Sequence, residues 1–302
     1  MQRIKSFHPT TKRRQERQTD LITGIQKFYS EATIDYSFWS KKMNMHYGYL
    51  ANWKQFFYRE SMLNQMNVEV MNRLKLPKNQ SSTVIDAGCG VGATARYIAA
   101  NNPDSNIKAI NIVSAHLREA KLRNWHAGLN QQISMIYADY HHLPLPNAMA
   151  DGAFAMESMC HSLNKEEWIA EMARVLKPGG RLVITDCFLQ NPNKPMGRIS
   201  KWAYDQFRAL WHVPHLAEIK TFTQSLKQAG FVIKEVRNAR WNVAPSVFHS
   251  PFVVASFLIK SFFKLDKLGA ERMNNLKAVL FSIILGCSFN KFSYFIVTAE
   301  KA

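Results

Sequence analysis

The chain has 302 residues, 47% hydrophobic and 20% charged, which is a globular composition rather than a disordered one, and a formal net charge of +17. Its longest apolar stretches, PFVVASFLI (251–259) and AVLFSIILGCSF (278–289), are shorter than the roughly 18 residues of a membrane span, so no transmembrane helix is expected. The four cysteines, Cys89, Cys160, Cys187 and Cys287, are far apart and lack ligand spacing, which argues against a metal site and for reduced thiols in a cytoplasmic protein.

Residues 1–20 carry the basic run KRRQER (12–17) without an apolar core, so a flexible, solvated tail is expected rather than a secretory signal. From residue 21 to 80 apolar residues recur at helical spacing until LPKNQSS breaks the pattern, which predicts a helical N-terminal cap. Short apolar runs then alternate with helical patterns. TVIDAG, IKAINI, ISMIYAD, GAFAMES and RLVITDCF read as strands, ATARYIAANN, AHLREAKLRNWHAG and KEEWIAEMARVL as helices, and KPGG as a turn. This predicts an α/β core over 81–188, with a mostly parallel sheet and helices on both faces. An aromatic helical insertion, WAYDQFRALWHVPHLAEI, falls in a lid over 189–220. A helix stopped by glycine (TFTQSLKQAGF), a strand (FVIKEVRNA) and a last strand (FSYFIVTAEK) follow, and an apolar helical insertion over 241–290 separates the two strands. The excess of Lys and Arg lies entirely in 1–80 and 191–302. Such flanks suit an anionic membrane or nucleic acid, but no nucleic-acid-binding module is present and no nucleic acid partner is expected.

The stretch VIDAGCGVGA (84–93) ends a strand and opens a helix, the place where an open α/β sheet binds its ligand. Glycines there allow positive φ and close approach, and the helix start accepts negative charge. The spacing Gly88-x-Gly90-x-x-Ala93 also fits a dinucleotide fingerprint. Against a dehydrogenase, the second strand ends in Asn111 rather than an acid, and Asp86 would repel a pyrophosphate while suiting a cationic ligand.

DAGCGVG, YADYHHLPLPNAMADGAFAMESMCHS and EMARVLKPGGRLVITD, together spanning 84–186, resemble the successive motifs of class I S-adenosylmethionine-dependent methyltransferases. FYSEATIDYSFWSKKMNMHYGYL is similar to the segment that precedes the fold in sterol and tocopherol methyltransferases. The resemblance implies a Rossmann-like single domain over 21–302 with a seven-stranded sheet, and S-adenosyl-L-methionine as cofactor. It implies that Asp86, Gly88 and Gly90 surround the methionine moiety, with Gly92 closing the loop. Asn111 falls at the ribose position, His116 at a position often held by Gln, and Asp139 at the acid that meets the adenine amino group. Tyr29 and His46 match the segment that closes over the cofactor.

Methyl transfer from a sulfonium is an in-line displacement that needs alignment more than a nucleophilic residue. Glu157 and His161, in ESMCHS, lie where the resemblance places the acceptor, Glu157 to offset developing positive charge and His161 to position the acceptor or take a proton. Tyr36, Phe38, Trp39, Trp202, Tyr204, Phe207 and Trp211 occupy the two insertions expected to roof the site, and an aromatic roof suits an apolar acceptor. The expected reaction is C-methylation of a hydrophobic small molecule, sterol-like or prenyl. The alternatives are O- or N-methylation of a soluble natural product or amine, and a silent S-adenosylmethionine-binding protein. Residues 241–290, with Lys260, Lys264, Lys267, Arg272 and Lys277, suit peripheral contact with an anionic membrane surface, a substrate cap or a homodimer contact.

Overall fold

The computed structural model describes residues 11–191, 193–263 and 268–302. In chain order they form α1 (Thr11–Ala32), α2 (Tyr36–Trp39), α3 (Arg59–Leu74), β1 (Ser82–Ala87), α4 (Ala93–Asn101), β2 (Ser105–Asn111), α5 (Ser114–His126), β3 (Ile133–Tyr137), β4 (Ala150–Met156) and α6 (Lys165–Val175). β5 (Leu176–Leu189), α7 (Arg198–Leu210), α8 (Ile219–Gln228), β6 (Phe231–Asn238), α9 (Arg240–Phe263), α10 (Ala270–Cys287) and β7 (Phe292–Lys301) complete the chain.

The seven strands make one sheet in the order β3-β2-β1-β4-β5-β7-β6. β1 to β5 pair in parallel, and β7 pairs antiparallel with both β5 and β6. Alternation along the strands sends neighbouring residues to opposite faces. Ile85, Leu182 and Val297 join α6 and α8 on one face, while Val84, Val183 and Ile296 join α3, α4 and the start of α9 on the other. A third cluster, with Ala203, Tyr204 and Phe207 of α7 against Leu285 and Phe292, seats the lid.

Four expectations change. The first helix begins at Thr11, so residues 11–20 are helical rather than a flexible tail, and residues 1–10 of that tail lie outside the described residues. KPGG is a bulge inside β5: Leu176 pairs with Ala150 and Arg181 with Gly152, so residues 177–180 loop out, with Gly179 at φ +77°. The lid helix stops at Leu210 instead of running to Ile219, because His212 takes φ +51° and Pro214 restricts the residue before it.

Lastly, Arg240–Phe262 forms a continuous helix that is long and apolar enough by length and composition to cross a membrane, although only 22% of it is buried. Small polar residues interrupt the apolar runs without ending the helix, which also tolerates Pro245 and Pro251, each at the loss of one backbone hydrogen bond. Phe248, Phe252, Ile259 and Phe262 stand exposed along it. Lys264 and Lys267 lie outside the described residues.

Candidate active site

The strand order reverses at β1 and β4, and the crevice beyond their C-terminal ends holds two adjoining cavities. The first, about 110 Å³, is lined by Asp86, Gly88, Gly90, Asn111, His116, Asp139, Tyr29, His46, Glu157 and His161 among others. Every expected site residue except Gly92 therefore lines one cavity. Gly92 instead caps α4 at φ +76°.

The glycine loop is shaped by contact. Gly88 has φ +101°, and a side-chain carbon there would come within 2.4 Å of Ser158 Cβ; one at Gly90, φ +51°, would meet Met45 Sδ at 2.9 Å. Ser158 Oγ in turn donates to Ala87 O at 2.5 Å, which joins the loop after β1 to the loop after β4. Asp86 at the end of β1 is buried, its Oδ2 has no hydrogen-bond partner among the described residues, and burial alone pushes its carboxyl well up. An orphaned carboxyl oxygen lining a cavity calls for a donor from a ligand.

The neighbouring polar residues are more occupied. Asn111 Oδ1 accepts from Val113 N at 2.9 Å and its amide donates to Gly90 O at 3.2 Å and lies 3.3 Å from His116 Nδ1. His116 Nε2 meets Thr33 Oγ1 at 2.8 Å, and burial lowers its pKa to about 4. Asp139 Oδ1 accepts from His141 Nδ1 at 2.6 Å and Oδ2 faces Gln18 at 3.4 Å. Burial raises the Asp139 carboxyl, but the bonds and charge of His141 outweigh it and hold the pKa below its usual value. His46, buried and lowered to about 4 by desolvation, meets Tyr47 O at 2.9 Å and Asn44 Oδ1 at 3.2 Å.

The second cavity, about 130 Å³, shares Tyr29, Met45, His46, Glu157 and His161 with the first. Glu157 follows β4 in the left-handed region, φ +48°, an unfavourable conformation for a side chain of its size. Its Oε1 accepts from Tyr47 N at 2.8 Å and from Tyr294 Oη at 2.9 Å, and burial, opposed by those bonds, raises its pKa to about 8. His161 closes a single 3₁₀ turn, Met159–His161. Its Nδ1 lies 3.3 Å from His212 O, which only accepts, so Nδ1 carries the proton and Nε2 accepts from Tyr29 Oη at 3.1 Å. Burial lowers its pKa to about 4, so the ring is neutral.

Tyr36, Phe38, Trp39, Phe207 and Trp211 line the second cavity as expected of a roof. Trp202 stands 54% exposed and Tyr204 packs against Phe292, so neither lines it. Three residues that sequence reasoning missed complete the site. Asp35 lines the second cavity with Oδ1 held by Arg272 Nε at 2.8 Å and Oδ2 unpartnered among the described residues; burial outweighs the arginine and raises its carboxyl. Asp186 lines it too, raised by burial to about 6 although it accepts from Cys160 N and Cys187 N, each at 2.8 Å. Beneath the turn, buried Lys165 donates to the carbonyls of Cys160, Ser162 and His215.

The methyltransferase domain family matches residues 85–184, from β1 to β5. An O-methyltransferase from Pyrenophora dematioidea is 34% identical over 60% of this chain, and the match spans 65% of its own length, just under two thirds. The O-methyltransferase resE from Aspergillus sclerotiorum is 29% identical over 85% of this chain and 89% of that one. The O-methyltransferase rstn1 from Aspergillus nomiae is 31% identical over 57% of this chain and 73% of its own. The chain is a class I S-adenosylmethionine-dependent methyltransferase.

Among solved structures, the [4+2]-cyclase SpnF superposes with a TM-score of 0.74 at 21% identity over 92% of this methyltransferase and 94% of that chain, a likeness of fold. S-adenosylmethionine fits the first cavity: a buried carboxyl with an orphaned oxygen, and no Lys or Arg among the described lining residues, suit a ligand bearing an ammonium and a sulfonium. The narrower sterol and tocopherol likeness is not supported by these relatives, which are O-methyltransferases.

Proposed function

We propose that this methyltransferase transfers a methyl group from S-adenosylmethionine in the first cavity to a hydroxyl of an uncharged, largely apolar small molecule in the second. The observation that carries the reading is the lining of the second cavity, which among the described residues is aromatic and aliphatic with the carboxyls of Asp35, Glu157 and Asp186 and without Lys or Arg. An anionic acceptor, a prenyl diphosphate included, would be desolvated there without a counter-charge. The O-methyltransferase names of the relatives favour oxygen over the carbon acceptor expected from the sequence. They lend no support to a lipid-metabolic role, membrane contact or a homodimer.

In this reading the cofactor supplies an activated methyl on a sulfonium. Asp86 would take its ammonium, Gly88 and Gly90 would leave room for its methionine end, and Asp139 and Gln18 would hold its base. The acceptor hydroxyl lies at the junction of the cavities, beside Tyr29 and His161. The acceptor's hydroxyl proton would pass to Tyr29 Oη as Tyr29 gives its own proton to His161 Nε2 along the hydrogen bond that already joins them. Glu157 stands between the two cavities, where a carboxylate would balance the cationic cofactor.

The aromatic lining supports C-methylation as the second reading, since Tyr36, Trp39 and Trp211 would stabilise a cationic carbon. Incubation with methyl-labelled S-adenosylmethionine and a crude extract separates the two. Label in the organic phase that hydriodic acid releases as methyl iodide supports the ether. Label that resists this cleavage shows a carbon acceptor, and label confined to water overturns the apolar acceptor.

A further inference from the structure

A third cavity, about 260 Å³ and twice the volume of the second, lies between α9, α10 and β7. It shares Tyr47, Cys187, Phe207, Leu216 and Ser282 with the second cavity, so the two adjoin across these side chains, of which Tyr47 and Ser282 are hydrogen-bonded to each other at 2.9 Å. Its other walls are nearly all apolar, including Val243, Ala244, Val247, Ile283 and Leu285. It reaches the surface beside Trp241, Phe248 and Phe289, which are 71%, 59% and 50% exposed. Arg240 stands at this end, its guanidinium donating to the carbonyls of Phe289 and Phe292.

We infer that this space is a binding annex for an extended apolar tail of the acceptor, aliphatic or polyene, whose hydroxyl-bearing head lies in the second cavity. The inference rests on the reading of the second cavity as the acceptor site. Adjacency points to the occupant: a molecule whose head fills the smaller chamber has a larger apolar chamber beside it, between α9 and α10, across a wall of five side chains. A free-standing small aromatic would leave the larger chamber empty, and burying an apolar tail there removes it from water. Gly286 lines the annex, and a side-chain carbon there would meet nothing within 4 Å, so a larger residue can be introduced at this wall.

The test uses the full chain and displacement of the neutral fluorophore N-phenyl-1-naphthylamine by 4-alkylphenols from ethyl to dodecyl. In the wild type each added methylene tightens binding about threefold to fourfold, well past the length that fills the second cavity alone. In Gly286→Phe the series levels off after the short members, whose binding is unchanged, and Gly286→Ala follows the wild type. Ala244→Phe, on the facing helix, repeats the test should the first variant not fold. A wild-type series that levels off at butyl, or a Gly286→Phe series that tracks the wild type, overturns the annex. Binding is read without turnover, so a phenol series that binds as described but receives no methyl would instead count against the O-methylation reading.

Discussion

At the scale of one residue, Glu157 joins an unfavourable backbone to an unfavourable ionisation. Its pKa of about 8 stands above an ordinary 4.5, so between those values the folded protein holds a proton that the unfolded chain gives up, and stability falls as pH rises through that window. Glu157→Gln removes this penalty, on the order of 3 kcal/mol at most at pH 7. We expect a higher Tm at pH 7.5 than the wild type, turnover reduced by ten-fold or more, and S-adenosylmethionine affinity within a few fold. A variant with lower Tm and lost cofactor binding would make Glu157 a structural residue. Its place at the site was legible, because ESMCHS follows a readable strand. Asp35 was not, because TIDYSFW gives no sign that its carboxyl is buried by Arg272 from 237 residues away.

At the scale of an element, the Met159–His161 turn is held from below by one side chain. A lysine opening an acidic helix, KEEW, reads as surface, yet Lys165 is 4% exposed and its ammonium ties three carbonyls of the turn and lid together. Lys165→Met keeps the length of the side chain and leaves those carbonyls without their donor. At roughly 1–3 kcal/mol for each buried group left unpaired, Tm should drop by several degrees, with KM for the acceptor rising more than KM for the cofactor. Equal changes in the two constants would show that Lys165 supports the whole crevice rather than the turn. The same element shows why the lid boundary escaped the sequence: the hydrophobic pattern of α7 continues past Leu210, and the stop is set by His212 and Pro214 rather than by composition.

For the whole molecule, titration divides into two opposing sets. Burial lowers His46, His116, His161 and His215 to about 4, so each resists acid only while neutral, and stability falls as pH drops from 6.5 toward 4. Burial also lowers His212 and His249, while the raised carboxyls of Asp35, Asp86, Glu157 and Asp186, the last at about 6, oppose the histidines in this window, and six histidines outweigh four carboxyls. Above 6.5 the histidines are silent while Glu157 still titrates. Thermal melts of the cofactor-free protein should therefore show a maximum near pH 6.5, with a steeper acid side; a plateau from pH 5 to 8 would refute this balance. The α/β core was readable because each β and α run keeps its own period, and the cofactor crevice followed from it. The annex was not, because it depends on how α9 and α10 splay over β7, a relation between segments that no local pattern records.

β7 lies between β5 and β6 although it follows both in the chain. During folding β6 has no partner on its sheet edge until β7 arrives to bridge it to β5; the β5–β7 pairs lie 103 to 119 positions apart and the β6–β7 pairs 57 to 70. Contacts of such separation form slowly. Tyr294, which holds Glu157, rides on that strand, so Glu157 gains this hydrogen bond only once β7 has paired. The setting of a residue shared by both cavities thus depends on one of the long-range pairings of the sheet rather than on local structure.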